Sequence, residues 1–231
     1  LDFHTSECVP GIGSKFDKEQ FQNALKTGHV NSITIFAKCH HGWSYYPTKV
    51  NAMHPNLNFD LLGAQLEACK EINVKSPVYL SAGFDERMAR EHGDWLIRHP
   101  DESLSDTKDF TTPGYHRMCY NTPYLDKLLA EIEEVMVLYH PGGIFLDISA
   151  VTPCVCGKCR KDIVSRGKDY RDPDAVWKQA EITFVVWHKR HGNVFFQLER
   201  LIYNVCHCKP LYRSCIISCF ALFFNKSGRE V

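Results

Sequence analysis

Ser32-Ile33-Thr34-Ile35-Phe36-Ala37-Lys38 is rich in β-branched residues and reads as a strand. The segments around it set the fold class. Upstream, Asp17 stands three residues before Gln20, the spacing of a capping box. Phe16 and Phe21 can form a hydrophobic staple, and Gly28 closes the helix. Downstream, Asp60 opens a second helix with Leu62, Leu66 and Cys69 on one face, and Pro77-Val78-Tyr79-Leu80-Ser81 is the next strand. Thr122 and Pro123, an N-cap and first-turn pair, open a long helix whose inward face holds Tyr124, Leu128, Ile132, Val135 and Met136. Pro141-Gly142-Gly143 breaks that helix, and Ile144-Phe145-Leu146-Asp147 follows as a strand. With residues 1–5 as a first strand, four strands alternate with helices, so the strands are expected to run parallel with crossover helices.

A doubly wound sheet and a (β/α)8 barrel both fit this alternation. A phosphate-cradling glycine turn would follow the first strand of a dinucleotide-binding sheet, but His4-Thr5-Ser6-Glu7-Cys8 stands there. Polar groups follow each strand: His4, His40-His41, Asp85-Glu86 and Asp147. That is where a barrel places its active site. The expected class is therefore α/β of the (β/α)8 barrel type. Four strands use about 150 residues, so the chain is expected to hold the N-terminal half to five-eighths of a barrel. Residues 1–187 are assigned to it. Asp172-Pro173 starts a further helix through Trp177, Ile182 and Val185. Residues 188–231 form an atypical Cys-rich apolar tail, with a possible fifth strand at 219–224.

Composition narrows the function classes. The 231 residues carry 27 basic and 27 acidic side chains, so the electrostatic footprint of a nucleic-acid partner is missing. The balance conceals a shift: residues 1–175 have a net charge of −5 and residues 176–231 of +5. The longest apolar run, at 216–224, falls short of the roughly 20 residues a membrane span requires, so no membrane partner is expected. The chain opens on Leu1 without a signal-peptide pattern, which reads as a missing natural start.

Two segments carry chemistry. After the strand ending at Lys38 come Cys39-His40-His41-Gly42-Trp43-Ser44-Tyr45-Tyr46. Imidazoles donate to hydroxyls and aromatic faces stack on sugar rings, so His4, His40, His41, Trp43 and Tyr46 are candidates for a sugar pocket. A hydrogen-bonded structural histidine pair is the alternative. Asp147 could attack an anomeric carbon, or it could cap a loop. Glu7, Asp85 and Glu86 are rim candidates for an acid/base. The second segment is Cys154-Val155-Cys156-Gly157-Lys158-Cys159. Its three close thiolates suit tetrahedral zinc and need a fourth ligand. Eleven cysteines, seven of them from residue 154 onward, point to metal or redox chemistry, and a reduced metal motif suits a cytoplasmic compartment. Cys206-His207-Cys208 is a weaker signal of the same kind.

Residues 37–49 resemble the Ala-Lys-His-His-Asp-Gly-Phe signature of α-L-fucosidases, whose second barrel strand carries sugar-binding histidines; here Gly42 follows His41 directly, where those enzymes have Asp. Together with residues 1–5 and 143–147 they resemble a group of uncharacterised glycosyl hydrolases. The resemblance covers roughly residues 1–180. It implies retaining hydrolysis of a glycoside, with Asp147 as nucleophile and a carbohydrate as partner, in a full-length protein that could be a homo-oligomer. Cys119, just before Tyr120-Asn121-Thr122-Pro123, together with Cys154, Cys156 and Cys159, resembles the structural zinc motif of barrel-type β-galactosidases, which implies those four as zinc ligands. A non-catalytic carbohydrate-binding barrel is the first rival reading. The second is a hydrolase whose histidines hold a catalytic metal.

Overall fold

The computed structural model describes residues 3–107, 109 and 111–206, with residues 193–206 as backbone alone. Three parallel strands, β1 (Ile35–Lys38), β2 (Val78–Ser81) and β3 (Ile144–Asp147), pair in the order β1-β2-β3. Helices α1 (Lys18–Thr27), α2 (Leu61–Glu71), α3 (Glu86–Glu91) and α4 (Tyr124–Tyr139) alternate with them, and α5 (Gly157–Ser165) and α6 (Pro173–Cys206) follow. The fold is α/β, as the strand–helix alternation predicts.

The caps form as their spacing dictates. Asp17 accepts the Gln20 N–H at 2.7 Å, and Phe16 and Phe21 pack at 5.7 Å between ring centroids. Asp60 Oδ1 accepts the Gly63 N–H at 2.8 Å, and its Oδ2 also accepts the Tyr139 hydroxyl of α4 at 2.9 Å. One carboxylate thus starts α2 and ties it to the end of α4. All five predicted inward residues of α4 are buried. Helix α4 starts one residue later than the pair Thr122-Pro123 predicts, with Pro123 at the cap.

The sheet has two unlike faces. Ile35, Val78, Leu80, Ile144 and Leu146 pack with Leu62, Leu128 and Ile132 in the helix-covered core. On the other face an aromatic ladder runs from Phe3 to Phe36 (4.9 Å), then to Tyr79 (3.9 Å) and Phe145 (5.8 Å), all stacked. Phe145 is 43% exposed, because no further strand flanks β3 among the described residues. A bulge at Ala37 shifts the register so that Lys38 pairs with Leu80. An extra residue reverses side-chain parity, so Lys38 turns into the helix-covered layer.

Some expectations are corrected. Residues 3–5 form no strand. Side chains hold them instead: the Phe3 stack, a Thr5 hydroxyl contact with the Tyr45 hydroxyl at 2.7 Å, and the Cys39 thiol on the Thr5 carbonyl at 3.8 Å. Helix α6 runs through residue 188 without a break, and Trp187 is fully buried against Tyr120. The expected strand at 219–224, the apolar run at 216–224, and His207 and Cys208 lie outside the described residues.

Asp60→Ala loses a cap and a hydrogen bond, each worth about 1 kcal/mol. It is expected to cost about 2 kcal/mol, twice the cost of Asp17→Ala, in urea denaturation with unchanged m-values.

Candidate functional site

The three strands end at one edge of the sheet, and side chains from that edge meet. Period-two alternation puts Tyr79, Ser81, Phe145 and Asp147 on the face away from the helices. The Tyr79 hydroxyl donates to Asp147 Oδ2 at 2.6 Å, and the Ile148 N–H donates to Oδ1 at 2.8 Å. The carboxylate keeps 30% of its surface open. Ile148 has a φ of 58°, which is strained for a β-branched residue. Its carbonyl lies where a Cβ on Gly83 would come within 2.2 Å, so only glycine fits opposite it.

After β1 the chain turns sharply. The Gly42 N–H donates to the Cys39 carbonyl at 3.0 Å, and Gly42 has a φ of 87°. His40 lies over β2, with Nδ1 2.6 Å from Ser81 Oγ. Ser81 gives its single proton to the Phe84 carbonyl at 2.7 Å, so the Nδ1 of His40 carries a proton and donates to Ser81. The other ring nitrogen, Nε2, lies 3.8 Å from Asp147 Oδ2. The His40 backbone N–H donates to His4 Nδ1 at 3.1 Å, and the two rings stack at 3.9 Å and 13°. Tyr115 meets the His40 and His41 rings edge-on, with its hydroxyl 3.3 Å from His41 Nε2. Burial pushes the His41 imidazole below its ordinary value.

His4, His40, His41 and Asp147 therefore come together. Trp43 is half-buried beside them; its indole N–H donates to Glu7 at 3.2 Å and its ring faces Arg87. Tyr46 does not join the cluster. It is buried on the helix side, donates to Glu134 at 2.9 Å and packs edge-on to Tyr139. The polar partner that α4 offers draws it into the core. Tyr79, Ser81 and Tyr115 are members that the sequence reading missed. For the two β2 residues the available signal was the strand alternation that places them on the side of Asp147.

The rim carboxyls are committed elsewhere. Asp85 is fully buried against Lys38. Glu86 takes the buried His116 Nδ1 at 2.9 Å. Glu7 is held below the usual carboxylate range by its own backbone N–H, by Trp43 and by Arg90. Arg117 makes a two-pronged pair with Asp106.

A second centre lies beyond the Tyr115 loop. The sulfurs of Cys119, Cys154, Cys156 and Cys159 all fall within 4.8 Å of one another, and all four residues are buried. Cys119 lies 3.6 Å from Cys159 and 3.8 Å from Cys156, too far for a disulfide. These separations match sulfurs sharing one tetrahedral ion at about 2.3 Å. Cys159 enters on α5 and Cys156 at its N-cap, the Cys156 N–H donates to Cys154 Sγ at 3.3 Å, and Asn121 reaches Cys159. Hydrogen bonds among the crowded thiols pull Cys156 below the ordinary thiol range, while Cys119 and Cys159 are held above it. A cleft beside this cluster is lined by Gly83, Arg117, Cys119, Ile148, Cys154 and Thr183; none of the three histidines borders it.

Residues 17–148 match the model of a family described as hypothetical glycosyl hydrolase 6. Among solved structures, α-L-fucosidase isoenzyme 2 from Paenibacillus thiaminolyticus is 46% identical, with a TM-score of 0.83 over 84% of this chain and 29% of that one. The chain thus spans less than a third of that fucosidase. A hypothetical protein from Ruminiclostridium thermocellum shares the fold at 12% identity and a TM-score of 0.50, over 75% of this chain and 87% of its own. The Thermotoga maritima α-fucosidase in complex with fucose is 23% identical, with a TM-score of 0.41 over 58% of this chain and 29% of that one. No curated protein matches. Over more than half of its length the chain matches a single family, and it belongs to that family, hypothetical glycosyl hydrolase 6, with α-L-fucosidase likeness.

Proposed function

We propose that the chain carries the sugar-binding and nucleophile-bearing part of a retaining glycoside hydrolase of (β/α)8 barrel type, acting on an α-L-fucoside. The observation that carries this reading is the meeting of Asp147 with His40 and Tyr79 at the strand ends. Tyr79 and the Ile148 N–H aim the Asp147 carboxylate and disperse its charge. An Asp147 oxygen bonds to the anomeric carbon as the bond to the leaving oxygen breaks, and water then releases the sugar. His40, His41 and Tyr115 supply polar and aromatic contacts to the ring. The substrate class is taken from the fucosidase at 46% identity.

Protonating the leaving oxygen requires a neutral acid. Asp85, Glu86 and Glu7 are each engaged by a cation or a histidine, which argues against them in that role. A carbohydrate-binding barrel without turnover is the second reading.

The four cysteines are proposed to hold a structural zinc. Among the described residues, no helix is long and apolar enough to cross a membrane.

Asp147→Asn in a full-length protein tests the first reading with an aryl α-L-fucoside. Turnover is expected to fall by about 10³-fold or more while fucose affinity is kept. Unchanged turnover would move the chemistry elsewhere, and fucose binding without turnover in the full-length parent would establish the second reading. Elemental analysis is expected to find one zinc per chain in the parent and none in Cys156→Ser. Four freely titrating thiols in a metal-free parent would contradict the zinc site.

A further inference from the structure

The helix-covered face of the sheet holds a buried charge cluster that none of the proposed chemistry uses. Lys38 is 1% exposed. Its ammonium lies 2.7 Å from Glu131 Oε2 on α4 and 3.1 Å from Asp85 Oδ2. The other Glu131 oxygen pairs with Lys127. Burial opposes the charge on Lys38, but Glu131 and Asp85 outweigh it and hold the ammonium above its ordinary range. Two positive and two negative groups thus compensate one another, as buried ions must.

Both lysines lead to the same place. Through Lys38 the route reaches Asp85, which caps α3 by accepting the Met88 N–H at 3.0 Å. Its carboxylate lies under Gly42, where a Cβ would come within 2.2 Å of Oδ1. The next two amides, Glu86 and Arg87, donate to the carbonyls of His40 (2.9 Å) and His41 (3.2 Å). Through Lys127 the route reaches Asn51 Oδ1 at 2.9 Å, and Asn51 Nδ2 donates to the Gly42 carbonyl at 3.0 Å. Successive carbonyls of the turn, on His40, His41 and Gly42, are therefore all held by groups that lie on two routes from one glutamate, with Arg87 Nη2 a second donor to Asn51 Oδ1 at 2.7 Å.

We infer that Glu131 is a positioning residue for the His40-His41 turn, acting through Lys38–Asp85 and Lys127–Asn51. It sits on the far side of the sheet and orients the imidazoles without touching a ligand. The inference rests on the proposed sugar site only for what the histidines do, not for how they are held.

The test is Glu131→Gln in the whole chain, read without any substrate. The imidazole carbon–proton NMR signals of His40 and His41 are expected to shift, and the Glu86 and Arg87 amides to exchange about tenfold faster, while the α2 amides keep their rates. Lys127→Gln, whose side chain reaches solvent, removes the ammonium that links Glu131 to Asn51 and leaves the Lys38–Asp85 pair in place; it is expected to shift the same imidazole signals, and it decides the matter should Glu131→Gln fail to fold. Unshifted His40 and His41 signals in a folded variant would overturn the inference, even if its thermal midpoint falls. Because no sugar enters the experiment, a failed sugar site and a failed positioning role give different results.

Discussion

A lysine ammonium enclosed between a sheet and a helix constrains this molecule more than any other feature. Removing one partner from such a pair costs about 3–5 kcal/mol, because the remaining charge is stranded. That is a large share of a typical domain's stability. Lys38 reaches the layer only because the Ala37 bulge reverses its parity, and Glu131 must then face it from α4. The distance between sheet and helix, the place of α3 and the course of the chain after β1 are tied to this cluster. The polar cost falls on the helix side of the sheet, and the opposite side carries the histidines, tyrosines and Asp147.

The two sides divide the work further. On the strand-end side, partners orient the central polar groups: Ser81 sets the tautomer of His40, and Tyr79 and the Ile148 N–H hold Asp147. Preorganised donors of this kind stabilise developing charge without rearrangement at the moment of reaction. The cysteine cluster lies between the Cys119 loop and α5. The Cys119 N–H also bonds to the Trp95 carbonyl, so a metal there would stiffen the segment that carries Tyr115 toward the histidines.

Much of this was readable from local chemistry. Asp17 and Asp60 act within three residues of themselves, and the inward stripe of α4 repeats at helical period, so caps and packed faces could be read directly. The cysteines were readable because ligand spacing within 154–159 is short range, and Cys119 followed from the resemblance. Features that depend on distant partners were not. Tyr46 looked like pocket aromatic surface, but its hydroxyl is claimed by Glu134, 88 positions away. Helix α3 has only six residues and depends on the Asp85 cap and the buried pair beneath it, so no periodicity announces it. Residues 1–5 start as an apolar piece that reads as a strand, yet stacking and side-chain hydrogen bonds hold residues 3–5 instead. Glu131 looked like one more acidic helix residue; only the bulge in β1 shows what it faces.

The central claim is that the strand-end cluster receives a sugar. A crystal structure of the chain soaked with L-fucose tests it most directly. The account predicts the ring between Tyr115 and the His40-His41 pair, with its anomeric carbon within reach of an Asp147 oxygen. Fucose bound in the cleft beside the cysteines, or an empty strand-end cluster at saturating sugar, would contradict it.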